Sequence, residues 1–198
     1  MIGELLHCPI RGNLTVPMKA KDGLTYTEEK RRIDAIKYLL EKGYPQSHFK
    51  IETILLRFGS LGRNFFRTDI AVLDKPVVDV PSDLESMKKH ILLVAEIKRD
   101  DAEAEKTKQT QVYPALGFFP ATSALGIYWD DIQQRLFYRT IKDGQTKTNE
   151  TSIAFLPPWG QSLESTTLQR KKGAVFQLRP FTRPFWSSVC VFAADPSH

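Results

Sequence analysis

At 198 residues with 41% hydrophobic composition, the chain suits one globular domain with a real core and leaves little room for a second. Its two cysteines, Cys8 and Cys190, stand at opposite ends in unrelated contexts, which excludes a disulfide framework and a zinc-ligand spacing. The net charge of +5 is uneven: residues 169–198 hold five basic side chains against one acid, so residues 1–168 carry only +1. A nucleic-acid reading of the main domain must therefore rest on local patches such as Lys98-Arg99 and Arg57, Arg63 and Arg67. No basic leader precedes an apolar core, and no apolar run approaches the roughly 18 residues of a membrane span. A reducing, cytoplasmic setting without a membrane partner is expected.

Residues 1–24 read as an N-terminal extension to a domain over 25–168. The first strong element is a helix from Glu28 to Lys42, with capping-box spacing between Thr25 and Glu28. Its apolar stripe is Ile33, Ile36, Leu39 and Leu40, and Gly43 followed by Pro45 stops it. A β-rich run from Phe49 to Phe58 turns at Gly59-Ser60-Leu61-Gly62 into a second strand, Asp69 to Leu73. Lys75 to His90 is polar, holds Pro76 and Pro81, and reads as an insertion with a helical turn around Asp83 to Lys89. The strand Ile91 to Ile97 follows. Asp101 to Leu116, rich in Glu, Lys, Gln and Ala, predicts a helix whose end is blurred by Pro114. Ser123 to Trp129 and Gln134 to Ile141 predict two more strands, followed by a hydrophilic loop through Asn149. Residues 169–198 form an irregular basic and aromatic tail without periodicity, and truncation near Leu168 is expected to leave a folded domain.

The chemistry concentrates at the end of the Ile91 strand. Alternate side chains share a face, so Glu96 and Lys98 point to one side, and a short sheet brings Asp69 of the neighbouring strand beside them. Two carboxylates and an ammonium converging on one spot are the ingredients of a hard-metal site with a charge to steer water. Glu28 or Glu29, at the start of the first helix, is a third carboxylate that joins if the helix packs over the sheet. On spacing alone the plainer reading is stronger, with Asp69 capping a turn and Glu96 pairing with Lys98 on a solvated strand end. His7, His48, His90 and His198 are scattered and receive no role. Gly59-Ser60-Leu61-Gly62-Arg63 lacks a P-loop lysine, and no serine has a Gly-x-Ser-x-Gly context.

Five features in order add weight: Thr27-Glu28-Glu29-Lys30-Arg31-Arg32, Leu39-Leu40-Glu41-Lys42-Gly43-Tyr44-Pro45, Arg67-Thr68-Asp69-Ile70-Ala71-Val72, Val94-Ala95-Glu96-Ile97-Lys98 and Gln109-Thr110-Gln111-Val112-Tyr113. From Thr25 to Ile141 the arrangement resembles the PD-(D/E)XK nuclease superfamily, and within it the N-terminal nuclease domain of type I restriction enzyme R subunits. It departs in having threonine rather than proline before Asp69 and a long segment between the second and third strands. The resemblance implies an α/β, restriction-endonuclease-like core, a central mixed β-sheet flanked by helices in αβββαβ order. It implies Asp69 and Glu96 as metal ligands, helped by the Ile97 carbonyl and completed by Glu28 or Glu29, with Mg²⁺ as cofactor and Mn²⁺ able to substitute. Lys98 would orient or polarise the water. Gln109 and Tyr113, four apart on one helix face, would touch the DNA backbone or support the ligands, and Arg67 and Arg99 would contact DNA.

Three functions follow in order of expectation. The first is a metal-dependent DNA endonuclease, the cleavage part of a type I-like restriction system. The second is an exonuclease-like repair nuclease, and the third a non-catalytic nuclease-fold DNA-binding module. Neither a P-loop nor an Asn-Pro-Pro-Tyr-type methylase motif is present, so helicase, methyltransferase and specificity functions would come from other subunits or domains. Two carboxylates a few ångströms apart are also expected to repel, so that removing either would stabilise the metal-free protein.

Overall fold

The computed structural model describes residues 3–17, 27–58, 63–119 and 124–163. Thr25, the Gly59 to Gly62 turn, Ser123 and the 169–198 tail of the sequence reading lie outside these residues. Helix α1 spans Glu28–Glu41 and buries Arg32, Ile33, Ala35, Ile36 and Leu39, a face with i, i+3, i+4 spacing. Thr27 is its N-cap and makes no side-chain capping bond. Its end is a Schellman motif: Tyr44 N–H donates to Leu39 O at 3.1 Å and Gly43 N–H to Leu40 O at 2.9 Å. Gly43 takes φ +86°, which only glycine adopts without strain.

A hairpin of β1 (Gly3–Cys8) and β2 (Gly12–Pro17) precedes α1. The segment read as an extension thus contributes to the core, because Cys8 is fully buried and Leu6, Ile10 and Leu14 pack on the cluster under α1.

The central sheet runs β3 (Phe49–Phe58), β4 (Asn64–Leu73), β5 (Ile91–Ile97), β6 (Leu125–Trp129), β7 (Gln134–Lys142) and β8 (Gln145–Ser152), paired in that order. Only β5 and β6 are parallel. The protein is therefore mixed α/β. Strand β8 replaces the predicted loop through Asn149. Its residues are all polar, yet Asp143 (φ +52°) and Gly144 (φ +75°) supply the left-handed pair of a tight hairpin turn, and an edge strand needs no apolar face.

Alternation splits the core across the sheet. Ile70, Val72, Leu93, Ala95 and Ile97 pack under α1, whereas Ala71, Leu73 and Val94 pack under the helices of the other layer. Those are α2 (Leu84–Lys89), capped by Asp83 accepting from Ser86 N–H at 2.8 Å, and one helical run after β5. That run is not the single α-helix predicted. It is α3 (Ala104–Thr107), a π segment (Lys108–Val112) and α4 (Tyr113–Gly117). Pro114 cannot donate to the Thr110 carbonyl and its ring crowds it, so the ladder widens ahead of it. The run lies close on β6, since a Cβ at Gly126 would meet Val112 at 3.1 Å and Leu116 at 3.2 Å.

Candidate active site

The end of the sheet where β4 meets β5 collects the charged residues. Asp69 is buried on β4, and its Oδ2 accepts the Ile97 N–H at 2.8 Å, which ties it to the end of β5. Thr68, also buried, donates to Ala95 O at 2.9 Å and pins the same two strands one step inward. From Ile97 the chain alternates, so Glu96 and Lys98 share a side, and Lys98 Nζ donates to Glu96 Oε1 at 2.7 Å. The structure thus brings Asp69, Glu96, Ile97 and Lys98 together.

Electrostatics bind these groups into one unit. Burial, then the charge of Asp69, push the Glu96 carboxyl up to about 7, although Lys98 pulls the other way and Glu28 adds a smaller push. Burial opposes the charge on Lys98, but Glu96, Asp69 and Glu28 outweigh it and hold the ammonium above its ordinary value. Lys98 therefore stays cationic. Glu28 is likewise raised, by burial and then by Asp69.

The two candidate glutamates of α1 separate. Glu28 feels both Asp69 and Lys98. Glu29 turns toward the β1–β2 hairpin, where it pairs with Arg11, and also accepts from Arg32 Nη1 at 2.8 Å. Glu28 is the carboxylate that joins the site.

Arg32 is the residue that motif reading passed over. One turn along α1 from Glu28, its Nη2 lies 2.8 Å from Glu28 Oε1 and 2.8 Å from Asp69 Oδ1, and its Nη1 is 3.8 Å from Glu52 Oε1. Its i, i+4 spacing from Glu28 was a readable signal. Glu52 had none. It lies across from Asp69, between the pairs Ile51/Ile70 and Thr53/Thr68 where the ladder lapses, and takes φ +53°. A glutamate in that conformation is rare, and such strain gathers at functional sites. Tyr128, opposite Glu96 in the β5–β6 register, is fully buried, and burial with neighbouring Asp130 drives its phenol far up, so it stays neutral.

The remaining predicted residues stand apart. Gln109 is exposed on the π segment. Tyr113 sets its ring edge on Phe137 at 5.5 Å, and after burial its hydroxyl is governed by Glu150 and Glu105. Neither makes a hydrogen bond to Asp69, Glu96 or Lys98 among the described residues. Their neighbourhood is a structural cluster in which buried Lys108 reaches Glu105 at 2.8 Å, Gln133 at 3.0 Å and Glu150 at 3.4 Å. Arg67 is half exposed, 3.8 Å from Glu52, and Arg99 pairs with Asp100 at 2.9 Å.

The donor set suits a hard divalent cation, since Asp69, Glu28, Glu96 and the Ile97 carbonyl offer only oxygen, and Glu96 is pushed toward protonation by burial and then by Asp69. Among the described residues no three acidic, histidine or cysteine side chains already form a metal cage. The Arg32 guanidinium donates to both Asp69 and Glu28. Comparison with known proteins found no matching family, no similar curated protein and no similar solved structure.

Proposed function

We propose that this chain is a metal-dependent deoxyribonuclease with a PD-(D/E)XK core, the cleavage part of a restriction system of the type I kind. The convergence of Asp69, Glu96 and Lys98 at one sheet end, with Glu28 brought to it by α1, carries the reading. The succession of α1, three antiparallel strands, a helical run and a parallel strand supports the same core.

In this reading Asp69, Glu96, Glu28 and the Ile97 carbonyl hold Mg²⁺ or Mn²⁺. A bound divalent ion supplies Lewis acidity toward a phosphodiester oxygen and toward water. Asp69, through its bond from Ile97 N–H, fixes the β5 end on which the carbonyl and Glu96 sit. Glu96 Oε must be free of its proton to serve. Lys98 Nζ keeps its proton, orients the attacking water and offsets charge gathering on the phosphate. Helicase, methyltransferase and specificity functions would lie in other subunits or domains.

Nicking of closed circular DNA in Mg²⁺ or Mn²⁺, lost in Lys98→Ala with the fold intact, tests the reading. Cutting confined to linear DNA would favour the exonuclease alternative. The presence of Arg32 among the carboxylates favours a second reading, a DNA-binding module without catalysis. Folded protein that binds DNA but cuts no substrate would establish it.

A further inference from the structure

We propose that the outer half of the β3–β4 ribbon is a nucleic-acid grip, with Phe65 stacking on an unpaired base while Arg57 and Arg63 hold the flanking phosphates. The inference rests on the nuclease reading and adds how the strand is held. β3 and β4 stay paired to their ends, Arg57 opposite Phe65 and Phe58 opposite Asn64, beyond the part of the sheet that β5 covers. Opposed residues share a face, so Arg57 and Phe65 stand together, and Arg67 follows two residues on.

The other face is anchored, since Phe66 packs its ring against Phe118 at 5.3 Å with 65° between planes. The face with Arg57 and Phe65 is open: Phe65 is 48% exposed. Arg57 and Arg63 are exposed and have no ion-pair partner among the described residues. Exposed phenylalanine beside unpaired arginines is costly for a solvated surface and complementary to a polyanion with flat, stackable bases.

The ribbon also points at the chemistry. Arg67, on the Phe65 face, approaches Glu52, and Glu52 approaches Arg32, which holds Asp69. A strand lying along that face runs from Phe65 toward the carboxylates. A stacking residue needs an unstacked base, so the preferred partner is single-stranded or frayed DNA.

The test measures binding of fluorescein-labelled oligothymidylate and of a labelled duplex by anisotropy in metal-free buffer, where no cutting occurs. Phe65→Ala should weaken oligothymidylate binding roughly 5- to 100-fold, with Phe65→Trp restoring it and duplex binding changing little. Arg57→Ala with Arg63→Ala should reduce the slope of log affinity against log salt by about 1.4 on single strands. Unchanged oligothymidylate affinity in Phe65→Ala, an unchanged salt slope, or no DNA binding by the parent would each overturn the grip. Melting curves equal to the parent's confirm that these exposed sites leave the fold intact. The outcomes separate from those of the nuclease reading: loss of binding without nicking leaves the grip standing, and nicking with unchanged binding removes the grip alone.

Discussion

Arg32 Nη2 lies 2.8 Å from Asp69 Oδ1, and both side chains are buried, so the carboxylate proposed as a metal ligand is held by a guanidinium. The same nitrogen takes Glu28 Oε1, and Nη1 takes Glu29. One cation thus neutralises a cluster that would otherwise repel itself, and a divalent ion at the proposed site would compete with Arg32 for the same oxygens.

Arg32→Gln should accordingly destabilise the metal-free protein by about 3–5 kcal/mol, because buried carboxylates lose their counter-charge. Millimolar Mg²⁺ or Mn²⁺ should recover part of that loss and should bind the variant more tightly than the parent. Thermal melts with and without metal, together with calorimetry, check both effects. A variant as stable as the parent in metal-free buffer would show that Arg32 does not neutralise the site.

The two carboxylates should not behave alike, contrary to the expectation from repulsion that removing either one stabilises. Asp69 accepts from Ile97 N–H and from Arg32, so Asp69→Ala strands a buried donor and a buried cation. A loss of about 3 kcal/mol is expected, moderated by the partners that Arg32 keeps. Denaturant unfolding measures the loss, and titration calorimetry should show that Mg²⁺ and Mn²⁺ binding disappears with it.

Lys98→Ala should separate binding from rate. Lys98 contacts Glu96 and supplies positive charge but no lone pair to a cation. Divalent binding should persist or tighten, while nicking falls by about 10²–10³-fold, the scale of losing one charge-stabilising donor. An equal fall in metal affinity would mean that Lys98 holds the ligands in place instead.

Much of this site was legible because it lies on strands bounded by turn residues: Phe49–Phe58 and Ile91–Ile97 occupy the ranges that their β-rich runs predict. Asp69, Glu96 and Lys98 follow from strand alternation once the two strands pair. The choice between Glu28 and Glu29 was not readable, because it depends on Arg11 of the β1–β2 hairpin drawing Glu29 aside. Glu52 was hidden for a different reason: its φ of +53° belongs to the β3–β4 pairing and leaves no mark in composition. Strand β8 was missed because apolar periodicity served as the guide, and an edge strand of threonines, glutamine and asparagine has none, although Asp143-Gly144 announced its turn. Gln109 and Tyr113 match a spacing, but the widened turn before Pro114 and the Phe137 contact give them a neighbourhood of their own.

Glu96 predicts the pH dependence. Its carboxyl rises from an ordinary 4.5 to about 7 in the metal-free fold, chiefly through burial and then through Asp69. Between those values the folded protein binds a proton that the unfolded chain has released, so stability falls as pH rises through the window. The full loss is on the order of 3 kcal/mol, complete once pH exceeds about 7. Glu96→Gln cannot ionise at this position, and its melting temperature should decline less than the parent's from pH 5 to 8, the remainder coming from groups such as Glu28 that are also raised. Metal binding reverses the requirement, because Glu96 must give up its proton to act as a ligand. Divalent affinity and nicking should therefore climb with pH through about 7, and added Mg²⁺ or Mn²⁺ should flatten the parent's decline. A parent whose melting temperature rises across the same range would show that Glu96 is ionised in the fold and that Lys98 outweighs burial.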